Sequence, residues 1–162
     1  MYLYFYAVHR MSIQFLCCIV CRLRSAGVPY KLCSNESVCT REAFANKLRK
    51  HGFVVDADDI ICPAPAMAKI LMKEGLRPYL LVHTGKVCPK YACSSKHLHR
   101  HHYHECVLIP DVLPEFSALD TSNPNCVVVG DCMEQFLYES LNQAFRVLLA
   151  QDKKILYSLG AG

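Results

Sequence analysis

Short apolar segments typical of buried strands alternate with longer amphipathic segments typical of helices from Arg22 to the end of this chain. Strands alternating with helices of about a dozen residues indicate right-handed crossovers between parallel neighbours. The sequence therefore predicts an α/β fold with a mostly parallel sheet. The predicted strands are residues 28–33, 59–62, 78–83, 126–130 and 154–159.

The first predicted helix has local start and stop signals. Thr40 can cap it, and Glu42 in its first turn favours the positive end of the helix dipole. Phe44 and Leu48 are spaced to share the inward face, and Gly52 ends the helix.

Two further helices are predicted downstream. One has Pro65 in its first turn, is closed by Gly75 and has an apolar side formed by Met67, Ile70 and Leu71. The other is indicated by the helical spacing of five residues, Leu137, Leu141, Ala144, Phe145 and Leu148.

Composition narrows the function classes. A hydrophobic content of 52% is enough for a core, so wholesale disorder is not expected. The net charge of +4 comes without a basic stripe with interleaved aromatics, so no nucleic-acid partner is predicted. Eleven cysteines, an odd number without framework spacing, indicate a reducing compartment.

The apolar run Met11–Cys21 is shorter than a membrane span requires. We expect a buried helix here, or an aberrant start that replaces a normal one, and we keep a membrane anchor as the less favoured alternative.

Six segments carry a resemblance to a known family, in the same order along the chain. They are RLRSAGVPYKLCSNES, TREAFANKLRKHGF, APAMAKILMKEGLRPYLLVH, DTSNPNCVVVG, FLYESLNQAFRVLL and KILYSLGAG. With them the chain resembles the haloacid-dehalogenase-type phosphatases with large α/β caps, and most of all the inorganic pyrophosphate phosphatases that also act on phospholysine and phosphohistidine. The resemblance implies a Rossmann-like core, an inserted cap, Mg²⁺ as cofactor and an aspartate nucleophile.

The resemblance also divides the chain into four predicted parts. These are a divergent apolar N-terminus (1–21), a partial phosphatase core (22–84), a Cys/His-rich insertion (85–110) and a partial α/β cap (111–162).

The family's second motif, a Ser or Thr followed by Asn, corresponds to Ser34 and Asn35. A hydroxyl at the carboxyl end of a parallel strand faces the crevice where open α/β sheets bind ligands. It can donate to a phosphoryl oxygen, so these two residues are the predicted phosphate-binding site. The alternative is a plain strand-to-helix turn, in which Ser and Asn are common.

The remaining family motifs are not found. The nucleophile motif is expected before Ser34, but residues 1–33 contain no Asp or Glu. The motif Lys and an acidic pair are expected beyond Gly162. We therefore predict no catalytic residue and no Mg²⁺ ligand in this chain, and a catalytically incomplete member of the family. The alternative is a non-catalytic interaction or metal-binding protein.

The Cys/His-rich insertion is the candidate for a second metal. Cys88, Cys93, His97 and His101 could complete a tetrahedral Zn²⁺ site, although their spacing matches no recognised finger. The alternatives are adventitious metal binding and a cationic loop without a functional metal.

The resemblance implies as partner a phosphorylated small molecule or a protein bearing phosphohistidine or phospholysine. A homodimer is one option, a membrane partner is not favoured, and the expected location is the cytoplasm or the nucleus.

Overall fold

A computed structural model describes residues 13–85, 111–132 and 135–160. Its helices and strands are α1 Ile13–Ser25, β1 Leu32–Cys33, α2 Arg41–Lys50, β2 Ile60–Ile61, α3 Pro63–Glu74, β3 Pro78–Leu81, β4 Cys126–Val129, α4 Tyr138–Leu149 and β5 Leu156–Ser158. Two short 3₁₀ helices, Ala57–Asp59 and Leu113–Phe116, precede β2 and β4.

The strands form two parallel sheets. β1 pairs with β2, with Leu32 opposite Ile60 and Cys33 opposite Ile61. The second sheet has the order β3-β4-β5, and both of its pairings are parallel. The predicted α/β class with parallel strands is confirmed.

The first strand is shorter than predicted. Of residues 28–33, only Leu32–Cys33 form β1. Pro29 has no N–H to donate to a ladder, and the N–H of Val28 instead bonds to the carbonyl of Leu23 at 3.0 Å, closing α1.

For α2 and α3, the capping and helix-ending residues lie where the sequence predicted them. The Thr40 hydroxyl accepts from the N–H of Ala43 at 3.2 Å and caps α2. α3 begins at Pro63 and ends at Gly75, which adopts the left-handed conformation with φ 64°. Leu71 is fully buried as predicted, whereas Ile70, predicted on the same apolar side, is 41% exposed.

Packing divides the described chain into two units. The small-sheet unit, residues 13–62, contains α1, β1, α2 and β2. Its core is formed by Val20, Tyr30, Ala45, Phe53, Val55, Ile60 and Cys62. The large-sheet unit comprises the described residues from 63 to 160. Its core is formed by Ala64, Ala68, Leu71, Leu81, Val82, Val112, Phe116, Cys126, Val127, Val128, Cys132, Ala144, Val147 and Leu159.

The predicted four-part division of the chain stays a prediction. β3 lies before the proposed core boundary at residue 84, but it shares a sheet with β4 and β5. At the N-terminal end, α1 runs without interruption across the proposed boundary between residues 21 and 22.

One side of α1 packs against the rest of the small-sheet unit through the buried Val20 and through Leu16 and Leu23. Phe15 remains exposed on the other side. Within the described ranges, none of the helices combines the length and apolarity that crossing a membrane requires.

Candidate functional site

The predicted phosphate-binding residues lie at the carboxyl end of the two-stranded sheet. Ser34 directly follows β1, and its N–H donates to the carbonyl of Ile61 at 3.0 Å, which continues the pairing with β2 by one residue. Ser34 is half-buried and Asn35 is exposed. The position is thus the crevice edge at which parallel α/β sheets bind ligands.

The turn that follows is held by its own side chains. The Ser34 hydroxyl accepts from the N–H of Glu36 at 3.1 Å, and one carboxylate oxygen of Glu36 accepts from the N–H of Val38 at 3.0 Å. The first bond is the local interaction expected of a plain turn. It uses an oxygen lone pair of Ser34 and leaves the hydroxyl proton available for a ligand.

Ion pairs involve Glu36 of this turn and Arg41 at the start of α2. The second carboxylate oxygen of Glu36 lies 3.3 Å from the Lys47 ammonium on α2. The N–H of Arg41 donates to Glu115 at 2.7 Å, and the Arg41 Nε lies 3.8 Å from the other Glu115 oxygen. A further carboxylate, Asp58, lies 3.6 Å from the Arg41 guanidinium.

The contact between Arg41 and Glu115 joins the two units. Arg41 begins α2, whereas Glu115 lies in the 3₁₀ helix that precedes β4. The Glu115 side chain is 12% exposed. A carboxylate of the large-sheet unit thereby satisfies an N–H in the first turn of a helix in the small-sheet unit, where negative charge is favourable.

Two thiols lie beneath the charged groups. Cys39 and Cys62 are fully buried. Burial raises the pKa of the Cys62 thiol to about 12, and the nearby Cys39, Glu36 and Glu115 add to the effect. Burial is also the main cause of the raised pKa of Cys39, with Glu36 next. Both thiols are therefore protonated and unreactive at neutral pH.

The carboxylates near Ser34 do not fit a Mg²⁺ site. Mg²⁺ requires near-octahedral oxygen ligation that carboxylates help to supply. Both Glu36 oxygens are engaged by Val38 and Lys47, and Glu115 is engaged by Arg41. Within the described ranges, no group of three or more His, Cys, Asp or Glu side chains could hold a metal ion.

The predicted Zn²⁺ ligands Cys88, Cys93, His97 and His101 lie outside the described residues, so this hypothesis stays a prediction. The assignment of Ser34 and Asn35 to phosphate binding stays a prediction as well.

Sequence reasoning missed three residues next to the turn. Glu115 is 74 residues from Arg41 along the chain, and no local signal in the sequence connects them. No local signal in the sequence connects Cys39 with Cys62 either.

The model of the haloacid dehalogenase-like hydrolases matches residues 18–109, which is more than half of the chain. The chain belongs to the haloacid dehalogenase-like hydrolase family. Phosphatases of this family generally depend on Mg²⁺.

Within this family the chain is similar to proteins named phospholysine phosphohistidine inorganic pyrophosphate phosphatase. It is 42% identical to the protein from Danio rerio over 141 residues, which cover 87% of this chain and 43% of the relative. The human protein is 37% identical over 143 residues, covering 88% of this chain and 43% of the relative. The chain thus spans less than half the length of these curated relatives.

Solved phosphatase structures share the fold. A double mutant of the thermostable NPPase from Geobacillus stearothermophilus superposes with a TM-score of 0.70 at 16% identity, covering 99% of this chain and 56% of that one. A 4-nitrophenylphosphatase from Thermotoga maritima gives a TM-score of 0.62 at 19% identity, covering 96% and 52%. The haloacid dehalogenase-like fold expected from the sequence is confirmed.

Proposed function

We propose that the turn after β1 binds the phosphoryl group of a phosphorylated ligand. The observation that carries the proposal is the position of Ser34, which directly follows a parallel strand in a chain of this hydrolase family. The Ser34 hydroxyl supplies one donor to a phosphoryl oxygen. The N–H groups of Asn35 and Ser37 are the further donors we propose, because those of Glu36 and Val38 already donate within the turn.

The charged side chains on and after the turn provide no net positive charge. Lys47 is paired with Glu36 at 3.3 Å, and Arg41 with Asp58 at 3.6 Å and Glu115 at 3.8 Å. Selectivity for a phosphoryl group then depends on directed hydrogen bonds more than on net positive charge.

The names of the relatives suggest the substrate class. Pyrophosphate, phospholysine and phosphohistidine are the ligands we propose for this chain, in the cytoplasm or the nucleus. All three present a phosphoryl group on a small or exposed carrier, which suits a half-buried hydroxyl at a sheet edge.

We propose binding without turnover for this chain on its own. Residues 1–33 contain no Asp or Glu that could act as nucleophile. Loss of a nucleophile removes orders of magnitude of rate and leaves binding effects. The nearby carboxylates of Glu36 and Glu115 are held by hydrogen bonds, and no step through Mg²⁺ is assigned to these residues.

Calorimetric titration with pyrophosphate tests the binding site. We expect Ser34→Ala to weaken binding about tenfold, in line with ~1.5 kcal/mol for one hydrogen bond to a charged ligand. Ser34→Thr keeps the hydroxyl and should retain affinity. Ser117→Ala, at an exposed serine in the large-sheet unit, serves as the matched control. Equal affinities for Ser34→Ala and the original chain would contradict the proposed site.

Phosphate release tests the absence of turnover. With Mg²⁺ and pyrophosphate, the purified chain should release no more phosphate than its Ser34→Ala variant. Magnesium-dependent release that Ser34→Ala abolishes would overturn the proposal of binding without turnover, and it would leave the phosphoryl-binding role of Ser34 standing.

A further inference from the structure

The solvent-facing side of α4 is apolar. The opposite side packs on β3 and β4 through the buried Ala144 and Val147. Four large side chains are exposed along the solvent-facing side, Tyr138, Leu141, Phe145 and Leu149. They follow one another at intervals of three or four residues and so form a single stripe, which we call the α4 stripe. Polar residues normally occupy this side of a surface helix, so the α4 stripe indicates a surface that another molecule covers.

Two charges of opposite sign flank the α4 stripe. Glu139 lies in the first turn of α4 and Arg146 in its last turn, and both are exposed. Seven residues are close to two helical turns, so the two side chains lie along the same edge of the stripe. Among the described residues, neither of them forms an ion pair. Both charges are therefore available to a partner.

The order of these charges matches a second copy of the same helix. In a two-fold symmetric contact, a residue that meets another on the second copy is met in the same way by its own counterpart. Two α4 helices that lie antiparallel about an axis near Gln143 place Glu139 of each copy opposite Arg146 of the other. The same arrangement places Leu141 of each copy opposite Phe145 of the other. A parallel pair would instead place each charge beside its own kind, which is unfavourable.

We propose that two copies of this chain associate through the α4 stripe, with their α4 helices antiparallel. α4 has 12 residues and is therefore about 18 Å long. Stable interfaces bury about 1,600 Å² in total, and a single pair of helices this short buries less. We therefore expect association at micromolar concentrations rather than a permanent dimer. The α4 stripe belongs to the large-sheet unit, so this proposal does not depend on phosphate binding at Ser34.

Sedimentation velocity of the full chain over a wide range of concentrations tests the association. A reductant in the buffer excludes disulfide-linked dimers. We expect the original chain to shift from monomer to dimer as its concentration rises, and Phe145→Ser to stay monomeric throughout. Ile70→Ser is the matched control, because it removes an exposed apolar side chain from α3 and should dimerise as the original chain does. Circular dichroism checks folding, and Leu149→Ser decides the question if Phe145→Ser does not fold.

Charge reversal tests the antiparallel orientation. Glu139→Arg and Arg146→Glu each bring like charges together at two places in the dimer, so each alone should raise the dissociation constant about tenfold. The two substitutions combined restore opposite charges at both places and should restore the original dissociation constant.

Three outcomes would overturn the proposal. The first is an original chain that stays monomeric at every concentration, which would leave the α4 stripe to a different partner. The second is a dimer that persists in folded Phe145→Ser, which would place the contact elsewhere on the chain. The third is a folded double variant of Glu139→Arg and Arg146→Glu that associates no better than either single variant.

Discussion

The two units of this molecule are stabilised in different ways. In the large-sheet unit, three strands and α3 enclose an apolar core that includes Leu71, Val82 and Val128. In the small-sheet unit, each strand pairs over only two residues, and ion pairs gather around its helices. The candidate phosphate-binding turn belongs to the small-sheet unit. The region that carries the site thus combines two small apolar clusters with largely exposed ion pairs, whereas the other region has the larger apolar core, which responds to lost volume.

The largest expected effect comes from a cavity in the large-sheet unit. Leu71→Ala should lower the free energy of unfolding by about 2–5 kcal/mol, because the fully buried side chain leaves a void. Ile70→Ala, one position earlier on α3 and 41% exposed, should cost less than about 1 kcal/mol. Urea denaturation followed by circular dichroism measures both. Similar losses for the two variants would show that the core does not dominate this unit.

A smaller effect is expected at the junction of the units. Glu115→Ala removes the acceptor of the Arg41 N–H at 2.7 Å and should cost about 1–3 kcal/mol, since it leaves a partly buried donor without its partner. Glu115→Gln retains an acceptor oxygen and should cost less. Urea denaturation of both variants compares them. If Glu115→Gln lowers the free energy of unfolding as much as Glu115→Ala does, the charge of Glu115 contributes more to stability than its hydrogen bond to Arg41.

The last effect is absent at neutral pH and appears only at alkaline pH. The pKa of the Cys62 thiol is about 12 in the folded chain, against an ordinary value of 9.0. The folded state therefore favours the protonated thiol, and this stability is fully present below pH 9 and is lost as the pH rises toward 12. The slope amounts to at most about 1.4 kcal/mol per pH unit.

Comparing the original chain with Cys62→Ala across this range isolates that thiol from other groups that titrate there. Cys126→Ala is the counterpart in the large-sheet unit, where burial also raises the pKa of a cysteine. We expect the substitution at Cys62 to flatten the pH dependence more than the substitution at Cys126. Identical pH profiles for the original chain and Cys62→Ala would contradict the assigned shift.

Which face of a helix is buried was harder to predict than the helix itself. The spacing of apolar residues predicted a helix from Leu137 onward, and α4 covers Tyr138–Leu149. Ala144 and Val147 are the buried residues, whereas Leu141 and Phe145 are 45% and 59% exposed. Large apolar residues occur around this helix, so the pattern alone does not decide which of them face the sheet.

The candidate site could likewise be predicted only in part. Its place after a strand could be predicted from Ser34, Asn35 and the preceding apolar segment. The surroundings could not, because Glu115 reaches Arg41 across 74 residues and Cys39 meets Cys62 only when α2 and β2 pack together.

The sequence by itself determined the alternation of strands and helices and the ends of the helices. A cap such as Thr40 or a left-handed glycine such as Gly75 acts on backbone groups within a few residues. Only the tertiary structure decided which side of α4 is covered and which carboxylate satisfies Arg41. Each of these depends on a partner distant in sequence, and contacts of that kind exist only once the chain has folded.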